Sequence, residues 1–144
     1  MLALVAYLAL TLWFTLRPNP GPEGQPLLIP LVDTWRQMRD LGDKVALREA
    51  TQNVLLFVPL GYLLPASFRR LRRLATTVAV GAAISALVEI AQWLVVSGRS
   101  PSIDDVMYNT IGTGIGASVF VLLTGLWRYR RDRVRRKVRS SAPG

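Results

Sequence analysis

The stretch LVEIAQWLVVSGRSPSIDDVMYNTIGTGIG, Leu87 to Gly116, decides how the chain is read. An apolar helix carrying Glu89 and Gln92 runs into the polar turn Ser97–Ser102, and a second apolar helix follows with Asn109, Gly112 and Gly116. A carboxylate inside a hydrophobic span costs about 2.5–3.5 kcal/mol on insertion scales, so Glu89 demands a partner, a proton or a purpose. Ser102 is a natural N-cap for the second helix, because Asp104 and Asp105 then fall in its first turn, where negative charge suits the helix dipole.

Working outward, the helix before the turn reaches back to Leu74 and the helix after it runs on to Trp127. Both are long enough to cross a bilayer. Upstream lies NVLLFVPLGYLLPASF, Asn53–Phe68, which becomes a span if its helix begins near Ala46. Pro59 and Gly61 in its middle remove a backbone bond and permit a kink or close packing. Met1–Leu16 is a continuous apolar run ended by Arg17-Pro18. No basic residues precede it and no small-x-small site follows it, so it reads as a first span rather than a signal peptide. Its shortness also fits a start upstream of Met1. Asn19–Pro30 is rich in Pro and Gly and reads as a loop. From Val32, the residues Val32, Trp35, Met38, Leu41 and Val45 recur at helical spacing among charged neighbours, with Gly42 as the weak point. That pattern fits an amphipathic helix on the membrane surface or a helix capping the mouth of a bundle.

The expected fold is therefore an all-α membrane protein with four transmembrane helices, at about 1–16, 46–68, 74–96 and 105–127. An interfacial helix lies in the first outer loop. The transmembrane domain is expected over 1–127, and a basic tail over 128–144. Gly112 and Gly116, four apart, form a small-xxx-small face that admits another helix closely.

Composition narrows the chemistry. The 144 residues are 51% hydrophobic and include no Cys and no His. Disulfides, thiolate sites and the usual zinc and haem ligands are excluded, and no metal or cofactor is expected. Eighteen basic residues against nine acidic ones give a net charge of +9. Arg69, Arg70, Arg72 and Arg73 form one cluster, and Arg128, Arg130, Arg131, Arg133, Arg135, Arg136, Lys137 and Arg139 another. Each follows directly on a hydrophobic run, the signature of membrane topology rather than of nucleic-acid binding. With four spans both clusters fall on one side, which the positive-inside rule makes cytoplasmic, together with both termini.

The remaining polar groups then gather near the outer ends of three helices. Asn53, Glu89, Gln92, Arg99, Asp104, Asp105 and Asn109 are the candidate ligand-binding residues. Two readings compete: a mere clamp, with Arg99 paired to Asp104 or Asp105 and Glu89 bonded to Gln92 and Asn109, or a site. As a site, Arg99 would meet phosphate or carboxylate and the others would supply hydrogen bonds. An intramembrane enzyme, with Glu89 as acid or base and Asp104 with Asp105 on Mg²⁺, ranks lower because no nucleophile or phosphate motif accompanies them. Transport ranks lower still, since the charges line no path from face to face.

The chain resembles the VanZ-like family, named after a teicoplanin-resistance protein. The resemblance spans Met1 to Trp127. It rests on Thr15-Leu16-Arg17-Pro18, on Leu28-Ile29-Pro30, on the run from Asn53 to Pro65, and on the pattern Glu89-x-x-Gln92 with Arg99, Asp104, Asp105, Asn109 and Gly112. It implies a multi-pass cell-membrane protein of a family associated with lower susceptibility to lipid-anchored glycopeptides. Its expected partners are membrane lipid, a lipid-linked cell-wall precursor or the lipoglycopeptide itself, and its expected role is binding rather than catalysis.

Overall fold

The computed structural model describes residues 2–15, 31–95 and 101–140. Within them the regular structure is helical throughout: α1 (Leu2–Thr15), α2 (Val32–Leu41), α3 (Asp43–Ser67), a 3₁₀ turn (Arg69–Leu71), α4 (Leu74–Val95) and α5 (Ile103–Ser140). Helix α4, and α5 from Ile103 to Arg135, are long and apolar enough to cross a membrane, whereas the apolar part of α1, Leu2–Trp13, is shorter. Helix α3 is longer than α4, but Asp43, Lys44, Arg48 and Glu49 occupy its first two turns.

The interior is the reverse of what folding in water produces. On α4 the buried residues are Thr77, Gly81, Ser85, Glu89 and Gln92, one stripe in steps of four and then three. Leu87 and Leu94 on its other faces are 66% and 72% exposed. Helix α5 repeats the pattern: Asn109 and Thr113 are buried while Ile111, Ile115 and Leu122 are exposed. Among the described residues nine polar or charged side chains are buried, against seven hydrophobic ones. Water would drive the apolar surface inward, so this arrangement belongs in a medium where apolar surface costs nothing to expose. A small apolar core remains where Leu4 of α1 seats among Phe57, Leu60 and Leu64 of α3, with Leu71, Val80 and Ile84 packed around them.

Helices α3 and α5 run parallel and meet backbone to backbone. A Cβ at Gly112 would overlap the Val54 carbonyl oxygen, one at Gly116 that of Val58, and one at Gly61 that of Thr113. Glycine at these three positions lets Cα–H groups lie against carbonyl oxygens, a weak but repeated attraction that compensates for the missing hydrophobic drive between helices in lipid. Pro59 is exposed and outside this crossing, and the helix continues through it. Helix α4 runs antiparallel to α5: Glu89 lies near Ser102, Ser85 near Asn109 and Gly81 against the Thr113 side chain.

Two boundaries differ from the sequence-based expectation. Helix α3 begins at Asp43, three residues before Ala46, because the whole break from α2 is made by Gly42 with φ of +93°, a conformation glycine adopts without penalty. Helix α5 continues without a break to Ser140. Its last 13 residues carry the basic tail about 20 Å further along the helix. On α5 the hydroxyls of Thr110, Thr113, Ser118 and Thr124 donate to carbonyls one turn back, which satisfies them inside their own helix.

Gly112→Val and Gly116→Val should each destabilise the protein by at least about 1–3 kcal/mol, since backbone cannot yield to the added side chain. Gly125→Ala, where an added Cβ meets nothing within 4 Å, should be neutral or stabilising by about 0.5–1 kcal/mol. Thermal unfolding of the detergent-purified protein compares the three.

Candidate functional site

Antiparallel packing of α4 on α5, with α3 parallel to α5, gathers the polar residues at one end of the bundle. The Arg69–Arg73 turn and the arginines at the far end of α5 lie at the other. At the polar end the first device is the start of α5. Ser102 caps it, its Oγ accepting from the Asp104 N–H at 3.2 Å. The Ser102 N–H in turn donates to Glu89 Oε1 at 2.9 Å, with both residues buried. In a capping box a residue of the same helix accepts from the cap N–H. Here Glu89 does so from α4, so the carboxylate that looked costly in an apolar helix fixes the start of its neighbour.

The second device is Asp104. It is 2% exposed, and its two carboxylate oxygens reach across to α2. Oδ1 accepts from the Leu31 N–H, and Oδ2 accepts from the Thr34 N–H and the Thr34 hydroxyl, each at 2.9 Å. The Tyr108 hydroxyl lies 2.9 Å from Thr34 Oγ1, and it is the donor there, since the Thr34 proton goes to Asp104. Leu31 stands in the N-cap position of α2 and has no side chain able to cap, so Asp104 performs the capping from α5. The same bonds hold Leu31 at φ of +63°, a left-handed conformation costly for a non-glycine residue. Asp104 thus sits at the positive ends of two helices at once.

The third device joins α3 and α4 to α5. Asn53 Nδ2 donates to Asp105 Oδ1, and Asn109 Nδ2 donates to Ser85 Oγ at 2.8 Å. Asn109 Oδ1 is buried without a hydrogen-bond partner. Gln92 is buried one turn beyond Glu89. Asp104 and Asp105 therefore serve different helices, and among the described residues no three acidic side chains converge as a metal site.

Of the seven candidate residues, Asn53, Glu89, Gln92, Asp104, Asp105 and Asn109 come together at this end. Arg99 and its pairing with Asp104 or Asp105 lie outside the described residues, as does Leu28-Ile29-Pro30. One bond of Glu89 goes to the Ser102 backbone, and the Asn109 amide nitrogen donates to Ser85. Thr34, Tyr108 and Ser85 are participants that sequence reasoning missed. For Ser85 the signal was present, since Thr77, Gly81, Ser85 and Glu89 recur every fourth residue. For Thr34 and Tyr108 there was none.

Beside the Asp104 network the surface opens into a shallow cleft of about 600 Å³ lined by Leu31, Val32, Thr34, Trp35, Met38 and Tyr108. Its lining is largely apolar, with Trp35 59% exposed, and includes Thr34 and Tyr108, whose hydroxyls bond to each other. On the outer face of α2, Arg39 donates to Asp40 at 2.8 Å and holds that carboxyl below its usual range.

Residues 4–124 match the VanZ/LLP1 family model. The chain belongs to the VanZ/LLP1 family. No curated protein and no solved structure matches it. The family match covers every helix of the bundle and all the polar devices at its end, and it stops before the basic extension of α5.

Asp104→Ala removes the acceptors of two backbone N–H groups and should cost about 2 kcal/mol. Hydrogen exchange at Leu31 and Thr34 should accelerate by at least about tenfold, with α4 unaffected. Glu89→Gln keeps an acceptor for Ser102 and should be tolerated better than Glu89→Ala in the same measurement.

Proposed function

We propose that this VanZ/LLP1 member is a four-span protein of the cell membrane with both termini cytoplasmic, its spans near 1–16, 46–68, 74–96 and 105–127. Its polar end lies in the outer leaflet and α2 rests along the outer surface. There it binds the headgroup region of a membrane lipid or a lipid-linked cell-wall precursor. By occupying or shielding that target it lowers susceptibility to lipid-anchored glycopeptides such as teicoplanin.

The observation that carries this reading is the cleft under α2. An amphiphile needs apolar walls beside hydrogen-bonding groups, and the walls formed by Leu31, Trp35 and Met38 adjoin the hydroxyls of Thr34 and Tyr108. Asp104 holds the helix that forms one wall and accepts from the Thr34 hydroxyl, so the cleft depends on the polar network. The inside-out interior supports the membrane setting, and the separation of polar and basic ends supports the orientation. Glu89 accepts from one backbone N–H through Oε1 and Asp104 from two, which favours a positioning role over acid–base catalysis. Arg99 supplies the charge that would meet a headgroup phosphate.

A second reading is favoured by a specific observation. Glu89 with Ser102, Asn53 with Asp105 and Asn109 with Ser85 bond to one another, which is what a purely structural clamp requires. The two readings part at the cleft walls, where no clamp residue lies. In a strain that the parent chain protects from teicoplanin, Trp35→Ala with Met38→Ala should abolish protection at matched membrane abundance, and Arg99→Ala should weaken it. Unchanged susceptibility in the wall variant would leave the clamp reading standing and overturn the binding one.

A further inference from the structure

The end of the bundle opposite the polar network carries its own recognition surface. Tyr62 of α3 and Phe120 of α5 meet edge to face with ring centroids 5.7 Å apart. From that contact both helices run in the same direction, and seven positions further α3 has given way to Arg69 and α5 has reached Trp127. The Arg69, Arg70, Arg72 and Arg73 turn therefore lies level with Arg128, Arg130 and Arg131, although almost sixty residues separate the two groups in sequence. All seven arginines are exposed, and among the described residues no ion pair holds any of them. Asp132 is the one acid nearby.

Two further features stand at the same level. Trp127 and Tyr129 are 62% and 65% exposed, and the Arg131 guanidinium lies over the Trp127 ring, 5.3 Å from its centroid. Just inside the ring of charge the surface turns apolar, with Phe68, Leu122 and Leu126 exposed. A partner must therefore bring anionic groups to the arginines and an apolar body to the leucines. Nucleic acid has nothing apolar to cover Phe68 and Leu126, and on the membrane-spanning reading those residues lie at a depth that a water-soluble acidic protein does not reach. A phospholipid has both parts, and interfacial Trp and Tyr mark the depth at which its headgroup sits.

We propose that the turn between α3 and α4 and the Arg128–Arg131 segment of α5 together form a site for an anionic phospholipid, and that its preferred ligand carries two phosphates, one for each arginine group. Guanidinium groups suit this task because their fork meets phosphate oxygens in pairs. The proposal rests on the membrane-spanning reading above but not on which leaflet the basic end faces. Helix α5 extends about 20 Å beyond Trp127, so its last arginines lie past the headgroup level and outside the site.

The test uses the full chain purified in a neutral detergent, titrated with diphosphatidylglycerol, phosphatidylglycerol or phosphatidylcholine and followed by native mass spectrometry and thermal unfolding. Diphosphatidylglycerol should bind and raise the Tm most, and phosphatidylcholine should do neither. Arg69→Gln with Arg70→Gln, Arg72→Gln and Arg73→Gln should weaken diphosphatidylglycerol by at least about tenfold, and Arg128→Gln with Arg130→Gln and Arg131→Gln should do the same. Arg136→Gln with Lys137→Gln and Arg139→Gln removes three charges beyond the site and should leave binding within about twofold. Replacing the turn arginines with lysine keeps the charge if the glutamine variant fails to fold, and should reduce the preference for two phosphates.

Equal binding of phosphatidylcholine, equal loss in the distal variant, or displacement of the lipid by a duplex oligonucleotide would each overturn the site. Failure of the chain to remain in membranes after alkaline extraction would instead overturn the spanning reading beneath it.

Discussion

A polar group withdrawn from water must be given a hydrogen-bond partner, and in this bundle that requirement organises the packing. Hydrophobic attraction has little purchase between helices whose outer faces are as apolar as their surroundings. What selects one arrangement is the set of polar groups that can be satisfied only together: Glu89 by the start of α5, Asp104 by the start of α2, and Asn53 and Asn109 across to α5 and α4. Glycine at three crossing points permits the close approach that makes these bonds reach. Polar satisfaction chooses the partners, and backbone contact fixes their register.

Two carboxylates illustrate how location changes the meaning of a residue. Glu89 sits within the last two turns of an apolar helix, and Asp104 sits in the first turn of another, where acids are common. Their tasks are nonetheless alike, since both serve the N-terminus of a helix they do not belong to. Each replaces a capping group that the capped helix lacks or supplements one that it has. Trans-capping of this kind makes the start of α2 and the start of α5 depend on tertiary packing rather than on local sequence alone.

Much of the architecture could be read from the chain. The two long apolar helices α4 and α5, the Ser102 cap, the break at Gly42 and the close approach at Gly112 and Gly116 follow from hydropathy, spacing and turn chemistry. The identity of the polar residues at one end was equally legible, because Glu89, Gln92, Asn109 and Asn53 stand out in apolar runs. Their pairing was not. Asp104 meets Thr34 across 70 positions and Asn53 meets Asp105 across 52, and no local pattern links them. The amphipathic spacing from Val32 marked α2 as a helix but not its cap, for Leu31 carries no capping chemistry. The buried stripe through Thr77 and Ser85 was visible as a four-residue period. It passed unnoticed because small hydroxylated residues are ordinary in membrane helices and become informative only beside Glu89.

Helix α5 has one further implication, and it is mechanical. A single uninterrupted helix begins at the Ser102 cap, carries Asp104, Asp105 and Asn109, passes the glycine crossing and ends among the arginines. No proline or break along it can absorb a displacement. An axial shift imposed at one end must either appear at the other or tear the helix from the Val54 and Val58 carbonyls against which its glycines rest. The two faces of the molecule therefore share one stiff shaft, and an event at either is felt as strain at the crossing between them.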